Sequence, residues 1–195
     1  GEHAQRKRKN KEEKTKPFPK TVHYVGPAGF PGAWASQNPQ RMVVAGSNGF
    51  CAGAGGVAIA AFAWVQADGA TVLNKPDPAN PKAAPTGFVV RAQQGQATQY
   101  LGQSTMTIAQ GFMVGLAEGG DVFAQATTAS ATGQAGYAAL SDGTPQRAAA
   151  GAAPTGTVAT GRSVPQGAAA GLPFIITGPL AGAPTPLAST SGTGH

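Results

Sequence analysis

The chain has 195 residues, of which only 11% are charged, and it contains 29 Gly and 16 Pro. Soluble domains average about 25% charged residues. The hydrophobic 41% includes 39 Ala, so few large apolar side chains remain for a core. Seven Leu are too few for a helical bundle, and a single Cys excludes a disulfide framework or cysteine metal cluster. A membrane-spanning helix needs about 20 consecutive apolar residues, and the chain contains no such run.

The first 20 residues form a basic arm. The arm carries three Glu and eight of the 14 basic residues of the chain. These eight are the candidate partner-binding residues: Arg6, Lys7, Arg8, Lys9, Lys11, Lys14, Lys16 and Lys20. Such an arm can be a solvated tail, a contact to nucleic-acid phosphates, or a contact to an acidic protein surface. Residues 1–17 contain no Leu, Ile, Val or Phe, which excludes an amphipathic membrane helix.

Proline divides the rest of the chain. Five prolines lie in 17–39, four in 76–85 and seven in 145–186, while 40–75 and 86–144 contain none. Because proline is excluded from central strands, the two proline-free windows are predicted to hold the sheet. The predicted parts are a basic extended arm with a proline-rich segment over 1–39, a β-rich core domain over 40–144 with a proline-rich loop at 76–85, and an extended Ala/Gly/Pro-rich segment over 145–195 with room for a final strand near 173–177.

The first window predicts short strands separated by turns. An apolar run at 42–45 precedes Asn48-Gly49, a strong hairpin-turn signal. Residues 57–65 are apolar on both faces, which predicts one strand that is covered on both sides or partly covered by a partner. Asp68-Gly69 then predicts a hairpin into a strand at 71–73.

The second window continues in the same style. It predicts strands at 87–91, 106–108, 112–116, 122–125 and 137–140. Glu118-Gly119-Gly120-Asp121 is predicted to be a hairpin loop, and Asp142-Gly143 a turn. No segment predicts a helix of more than two turns. The fold class is therefore all-β, a small antiparallel β-sandwich or barrel with an extended N-terminal arm and a Pro/Gly/Ala-rich C-terminal segment.

The chain offers few candidate residues for catalysis. The acids beyond residue 20 sit beside Gly or Pro and are predicted to form turns; they are Asp68, Asp77, Glu118, Asp121 and Asp142. Cys51 is predicted to be buried and inert, since only His23 could serve it as a base. Gly53–Gly56 lacks the Lys-Ser/Thr of a phosphate loop and predicts a turn. We therefore expect no enzyme activity, no catalytic, cofactor or metal site, and no small-molecule substrate.

Two stretches resemble the capsid decoration, or structural cement, proteins of tailed bacteriophages. They are Gly46–Trp64, with GFCAGAGGVAIAAFAW, and Pro85–Phe123, with PTGFVVRAQQ, TQYLGQSTMTIAQGFMVGL and EGGDVF. The resemblance covers about 38–143. It implies a β-rich domain on the outer surface of the phage head, assembly as a homotrimer, and arms that reach neighbouring major capsid subunits. It implies no active site and no membrane.

Three alternatives remain at this point. Another virion structural protein, of the tail or minor capsid, would share this composition. A nucleic-acid-binding protein would place the basic arm on phosphates and show steep salt dependence, although the resemblance disfavours it. A β-sandwich hydrolase would need paired carboxylates, for which the chain offers few acids.

Overall fold

The structure, a computed structural model, describes residues 29–91, 105–125 and 127–178. All regular structure in these ranges is β, so the all-β class is confirmed. The described residues form no helix long and apolar enough to cross a membrane. The strands are β1 Arg41–Met42, β2 Cys51–Ala52, β3 Val57–Ala58, β4 Phe62–Val65, β5 Thr71–Leu73, β6 Gly87–Val89, β7 Thr107–Ile108, β8 Leu116–Gln125, β9 Ala135–Ala139, β10 Pro145–Ala148, β11 Thr157–Gln166 and β12 Pro173–Gly178.

One large sheet contains ten of these strands. Its order is β10-β9-β11-β12-β8-β6-β4-β5-β2, and β1 also pairs with β8. The β3 and β7 strands form a separate two-stranded sheet. All pairs are antiparallel except β2 with β5. The arrangement is sandwich-like and does not close into a barrel.

The core is a single cluster in which small and large side chains alternate. Phe62 and Phe88 meet edge to face, with ring centroids 5.2 Å apart. Ala63 and Ala117 are fully buried in the same cluster. Buried alanines let neighbouring backbones pack closely, so this chain makes a dense core from few large residues. The Trp64 indole, also buried, donates to the Ala83 carbonyl at 2.8 Å.

The predicted strand over 57–65 is covered on both sides, as expected, but it is interrupted. It divides into β3 and β4 at Ala60, whose φ of 60° is rare for a non-glycine residue. The Asn74 side chain holds both sides of the break: its Oδ1 accepts from the Ala58 N–H at 2.6 Å, and its Nδ2 donates to the Phe62 carbonyl at 3.0 Å. Periodicity alone could not reveal this break, because the residue that secures it lies outside the run.

The predicted hairpin loop at 118–121 is wrong, because β8 runs without reversal from Leu116 to Gln125. Gly120 has a φ of 101°, which distorts the strand instead of ending it. Trp34 and the backbone at Pro39 would lie within 3.1 Å of a Cβ at this glycine. Gly120 therefore allows close packing within a strand.

The C-terminal region is more regular than expected. The sequence predicts one strand near 173–177, which β12 confirms, but β10 and β11 also belong to the sheet. Their prolines occupy tolerated places. Pro145 is the first residue of an edge strand, and Pro165 lies where the β11 register shifts between Ser163 and Gln166. The division of the chain into domains stays a prediction.

The sequence predicts turns correctly at Asp68-Gly69 and at Gly49, but the strands on either side of a turn do not always pair with each other. The Asp68-Gly69 hairpin joins β4 and β5, as predicted. Gly49 also closes a turn, donating to the Gly46 carbonyl at 3.0 Å. However, the strands that flank this turn do not pair with each other, because β1 pairs with β8 and β2 with β5. The predicted strand at 112–116 begins only at Leu116.

Candidate interaction surfaces

The eight basic residues of the arm lie outside the described residues, as does His23. The structure therefore leaves the predicted arm contact untested. Within the described ranges, no group of three or more His, Cys, Asp or Glu side chains is placed to hold a metal ion. Cys51 lies in β2 and forms no disulfide; it is half-buried, so the prediction that it is buried is wrong.

Three of the five acids confirm the turn prediction. Asp68 accepts the Ala70 and Thr71 N–H groups at 3.0 and 2.8 Å, and bonds from Thr71 lower the pKa of its carboxyl. Asp77 accepts the Ala79 N–H at 2.8 Å, and Asp142 accepts the Thr144 N–H at 3.0 Å. These side chains satisfy backbone donors in turns.

The other two acids belong to β8. Glu118 forms an ion pair with Arg41 of β1 at 2.5 Å. The Asp121 carboxylate accepts the Ser36 hydroxyl at 2.6 Å and the Asn38 amide at 2.7 Å. Its bonds from Ser36 lower its pKa, with Thr177, Asn38 and the charge of Arg162 acting in the same direction. Asp121 thus fastens the segment before β1 to the long strand.

We expect Asp121→Asn to weaken the acid dependence of stability. The folded pKa of Asp121 lies below its usual 3.8, so its contribution is complete above that value and disappears as pH falls through the folded pKa. The wild-type free energy of unfolding should therefore fall more than the variant's as pH drops from about 5 to about 3. Urea titrations across this range measure the difference. Ser36→Ala should weaken the pH dependence of the free energy of unfolding in part. An equal pH dependence in all three proteins would contradict the role of Asp121.

Two arginines of the C-terminal strands are buried. Arg162 of β11 donates to the carbonyls of Ala117 and Glu118 at 2.9 and 3.0 Å, and to that of Gly120 at 3.3 Å. Burial lowers its pKa to about 10, against the raising effect of Asp121 and Glu118, so it stays charged at neutral pH. Its guanidinium supplies donors where β8 is distorted.

Arg147 of β10 plays a similar structural part. Its guanidinium contacts Thr128 and the Ala129 carbonyl, and it lies 5.1 Å from the centre of the Phe174 ring. Burial lowers its pKa. In the sequence both arginines look like surface charges, and only their partners, far away in the chain, show that they belong to the interior.

Exposed large apolar side chains mark a first surface. We call Met42, Val44, Phe112 and Met113 the methionine patch; their exposures are 41, 91, 42 and 62%. The two segments that carry them are neighbours, since the Val43 N–H donates to the Leu116 carbonyl and the Met42 Cε lies over Gly115. Grouped exposed apolar side chains are typical of contact surfaces, and methionine adapts to varied partners.

A second surface is an apolar groove of about 450 Å³. Its lining includes Pro31, Met106, Gly171 and the Ala58–Ala61 segment, and Asp142 is the charged residue of the lining. The exposed Phe30 and Leu172 adjoin lining residues, being 70 and 52% exposed. Arg91 connects two residues at the edge of the groove: its guanidinium donates to the Met106 sulfur at 3.0 Å and lies 5.8 Å from the Phe30 ring centre.

Clustered exposed apolar side chains, as on the methionine patch and around the groove, are typical of proteins that contact other macromolecules. A sequence model of the XM1 gp53 minor capsid protein family matches residues 18–177. The chain therefore belongs to this family of minor capsid proteins, and the suspected relationship to phage capsid proteins is confirmed.

The fold is also similar to a chain in a solved structure described as the capsid of Myoviridae phage XM1. The two share 18% sequence identity with a TM-score of 0.50, over 83% of this chain and 96% of that chain. The comparison with curated proteins finds no match. At this identity the structural similarity supports the fold.

Proposed function

We propose that the protein is a phage capsid decoration, or cement, protein. It binds the outer surface of the head across seams between major capsid subunits and stabilises the shell as a homotrimer. It has no enzymatic role and needs no cofactor. Its membership of a minor capsid protein family is the observation that carries the proposal. The similarity to a chain from a phage capsid supports it.

The methionine patch supports self-association or capsid contact. An isolated exposed apolar residue needs no explanation, but four on two adjoining segments form a surface that water solvates poorly. Burying it between copies would stabilise an assembly by the hydrophobic effect. The chain has few large apolar residues, so their exposure on one surface favours a partner there.

The basic arm supplies the second contact in this proposal. Seven of its eight basic residues precede residue 18, so they lie outside the family match, and only Lys20 lies within it. Docking of such an arm on an acidic capsid surface would rest on charge complementarity. Many weak contacts of this kind, repeated around the head, add to a large total by multivalency.

Replacing by Gln the seven basic residues of the arm that precede residue 18 should reduce occupancy on expanded heads and lower their thermal stability. The reason is the loss of electrostatic contact, so the wild-type occupancy should also fall with added salt. Gel densitometry of purified heads and their melting temperature measure both effects. A scrambled arm of unchanged composition is the matched control and should retain most of the binding. Unchanged occupancy and melting temperature in the neutralised variant would reject the arm's role.

A further inference from the structure

We infer that the apolar groove is the docking site of this chain's own residues 18–25. This inference does not depend on the proposed function, because it concerns the free protein.

The groove fits an extended apolar peptide. Its volume of about 450 Å³ can hold a few side chains, and three alanines of the lining, Ala58, Ala60 and Ala61, let a backbone approach closely. Ala60 sits in this wall at a φ of 60°. A residue held in such a strained conformation is often part of a functional surface. Asp142 is exposed, so a basic residue of the occupant would complement it.

The described chain begins at the groove. Pro31 lines it, and Gly29, two residues earlier, is packed so tightly that an added Cβ would lie 2.0 Å from the Phe123 ring. The described chain therefore starts two residues before a residue of the groove lining. Residues 18–25 precede Pro31 by 6 to 13 positions, a reach of roughly 20–45 Å in extended form. Gly26-Pro27, a dipeptide typical of turns, lies between and favours a reversal.

The composition of residues 18–25 matches the groove. The segment carries Phe18, Val22, Tyr24 and Val25, while residues 1–17 carry no Leu, Ile, Val, Phe, Tyr or Trp. Its Lys20 supplies a charge opposite to that of Asp142, and it contains no acid. The family match begins at residue 18, so this segment belongs to the shared part of the chain and most of the basic arm does not.

Docking within one chain is favoured over exchange between copies. Two groups joined by a short linker reach effective concentrations of about a millimolar. A second free copy in dilute solution cannot compete with that concentration. The proposed contact therefore forms in the monomer, before any assembly on a capsid.

Disulfide trapping tests the inference in the full-length chain. In a Cys51→Ala background, Tyr24→Cys is combined with Thr127→Cys, an exposed residue of the groove lining. The matched control combines Tyr100→Cys with Thr127→Cys. Under mild oxidation in dilute solution, we expect the first pair to lose both free thiols while the protein stays monomeric on a non-reducing gel. The control pair should keep its thiols.

Other outcomes overturn the inference. Disulfide-linked dimers would show that the segment of a second copy occupies the groove, and trapping of Tyr100→Cys instead would assign the groove to residues 92–104. A second measurement is independent of cysteines. Removing residues 1–16 should leave Tm unchanged, whereas removing 1–28 should lower it by roughly 5 °C. Equal melting temperatures would contradict the docking, whatever the proteins do on heads.

Discussion

Gly143→Ala is expected to destabilise the protein by about 3–5 kcal/mol, enough to unfold much of a marginally stable chain. Gly143 is buried at a φ of 70°, and an added Cβ would lie 2.0 Å from the Phe62 carbonyl oxygen. That oxygen belongs to the backbone of β4 and cannot rotate away. The Phe62 N–H also donates to the Gly143 carbonyl at 2.8 Å, so any shift that relieves the clash strains this bond.

Gly69→Ala is the matched control. Gly69 also follows an Asp in a turn and has a φ of 72°, but nothing lies within 4 Å of its Cβ position. Gly69→Ala should lower the free energy of unfolding only by the cost of placing Ala at positive φ, about 1 kcal/mol. Urea unfolding monitored by tryptophan fluorescence gives both values. Equal losses in the two variants would show that the packing of Gly143 against β4 adds nothing.

The sequence predicts elements well where local chemistry decides them. Proline-free windows and Asp-Gly turns place β5, β6 and β9, and an apolar run places β12 although it lies in a proline-rich stretch. Each of these signals acts within a few residues. Asp68 and Asp142 bond to backbone N–H groups two or three residues away, so the turn can be inferred without knowing the fold.

Pairing and interruption could not be predicted in the same way. β1 pairs with β8, more than 70 residues later, and only the packed sheet makes that pairing favourable. The Glu118–Asp121 segment has the composition of a hairpin loop, yet it continues as a strand that pairs with β12 and β1 and accepts hydrogen bonds from Arg162, more than 40 residues away. A local signal of two glycines is weaker than a buried guanidinium with three acceptors.

The interaction surfaces were predicted only in part. The basic arm is evident from charge alone, although its residues lie outside those that the structure describes. The methionine patch was not anticipated, because Phe112 and Met42 were assigned to strands and would be expected to face the core. Whether an apolar residue is buried depends on what covers it, and this information lies in the tertiary structure.

Arg162→Met should destabilise the protein by about 3–5 kcal/mol, because three carbonyl oxygens lose a charged donor and an unsatisfied buried acceptor costs about 1–3 kcal/mol. The Met side chain fills the space of the arginine stem as far as about Nε and supplies no donor, so three carbonyls at the distortion of β8 lose a charged partner. Arg162→Lys keeps the charge but donates from a single nitrogen, so its stability should lie between those of the wild type and Arg162→Met. The free energy of unfolding in urea ranks the three proteins.

Arg91→Met separates this effect from the general loss of an arginine. Arg91 is exposed and contacts the Phe30 ring and the Met106 sulfur, so its replacement should change stability by less than about 1 kcal/mol. If Arg162→Met changed stability as little as Arg91→Met, β8 would continue through Gly119 and Gly120 without the guanidinium. The two glycines alone would then explain the distortion. If only Arg162→Met is severe, the C-terminal strands are required to shape the middle of the sheet. Truncation before β11 should then disrupt β8, although β8 itself remains complete.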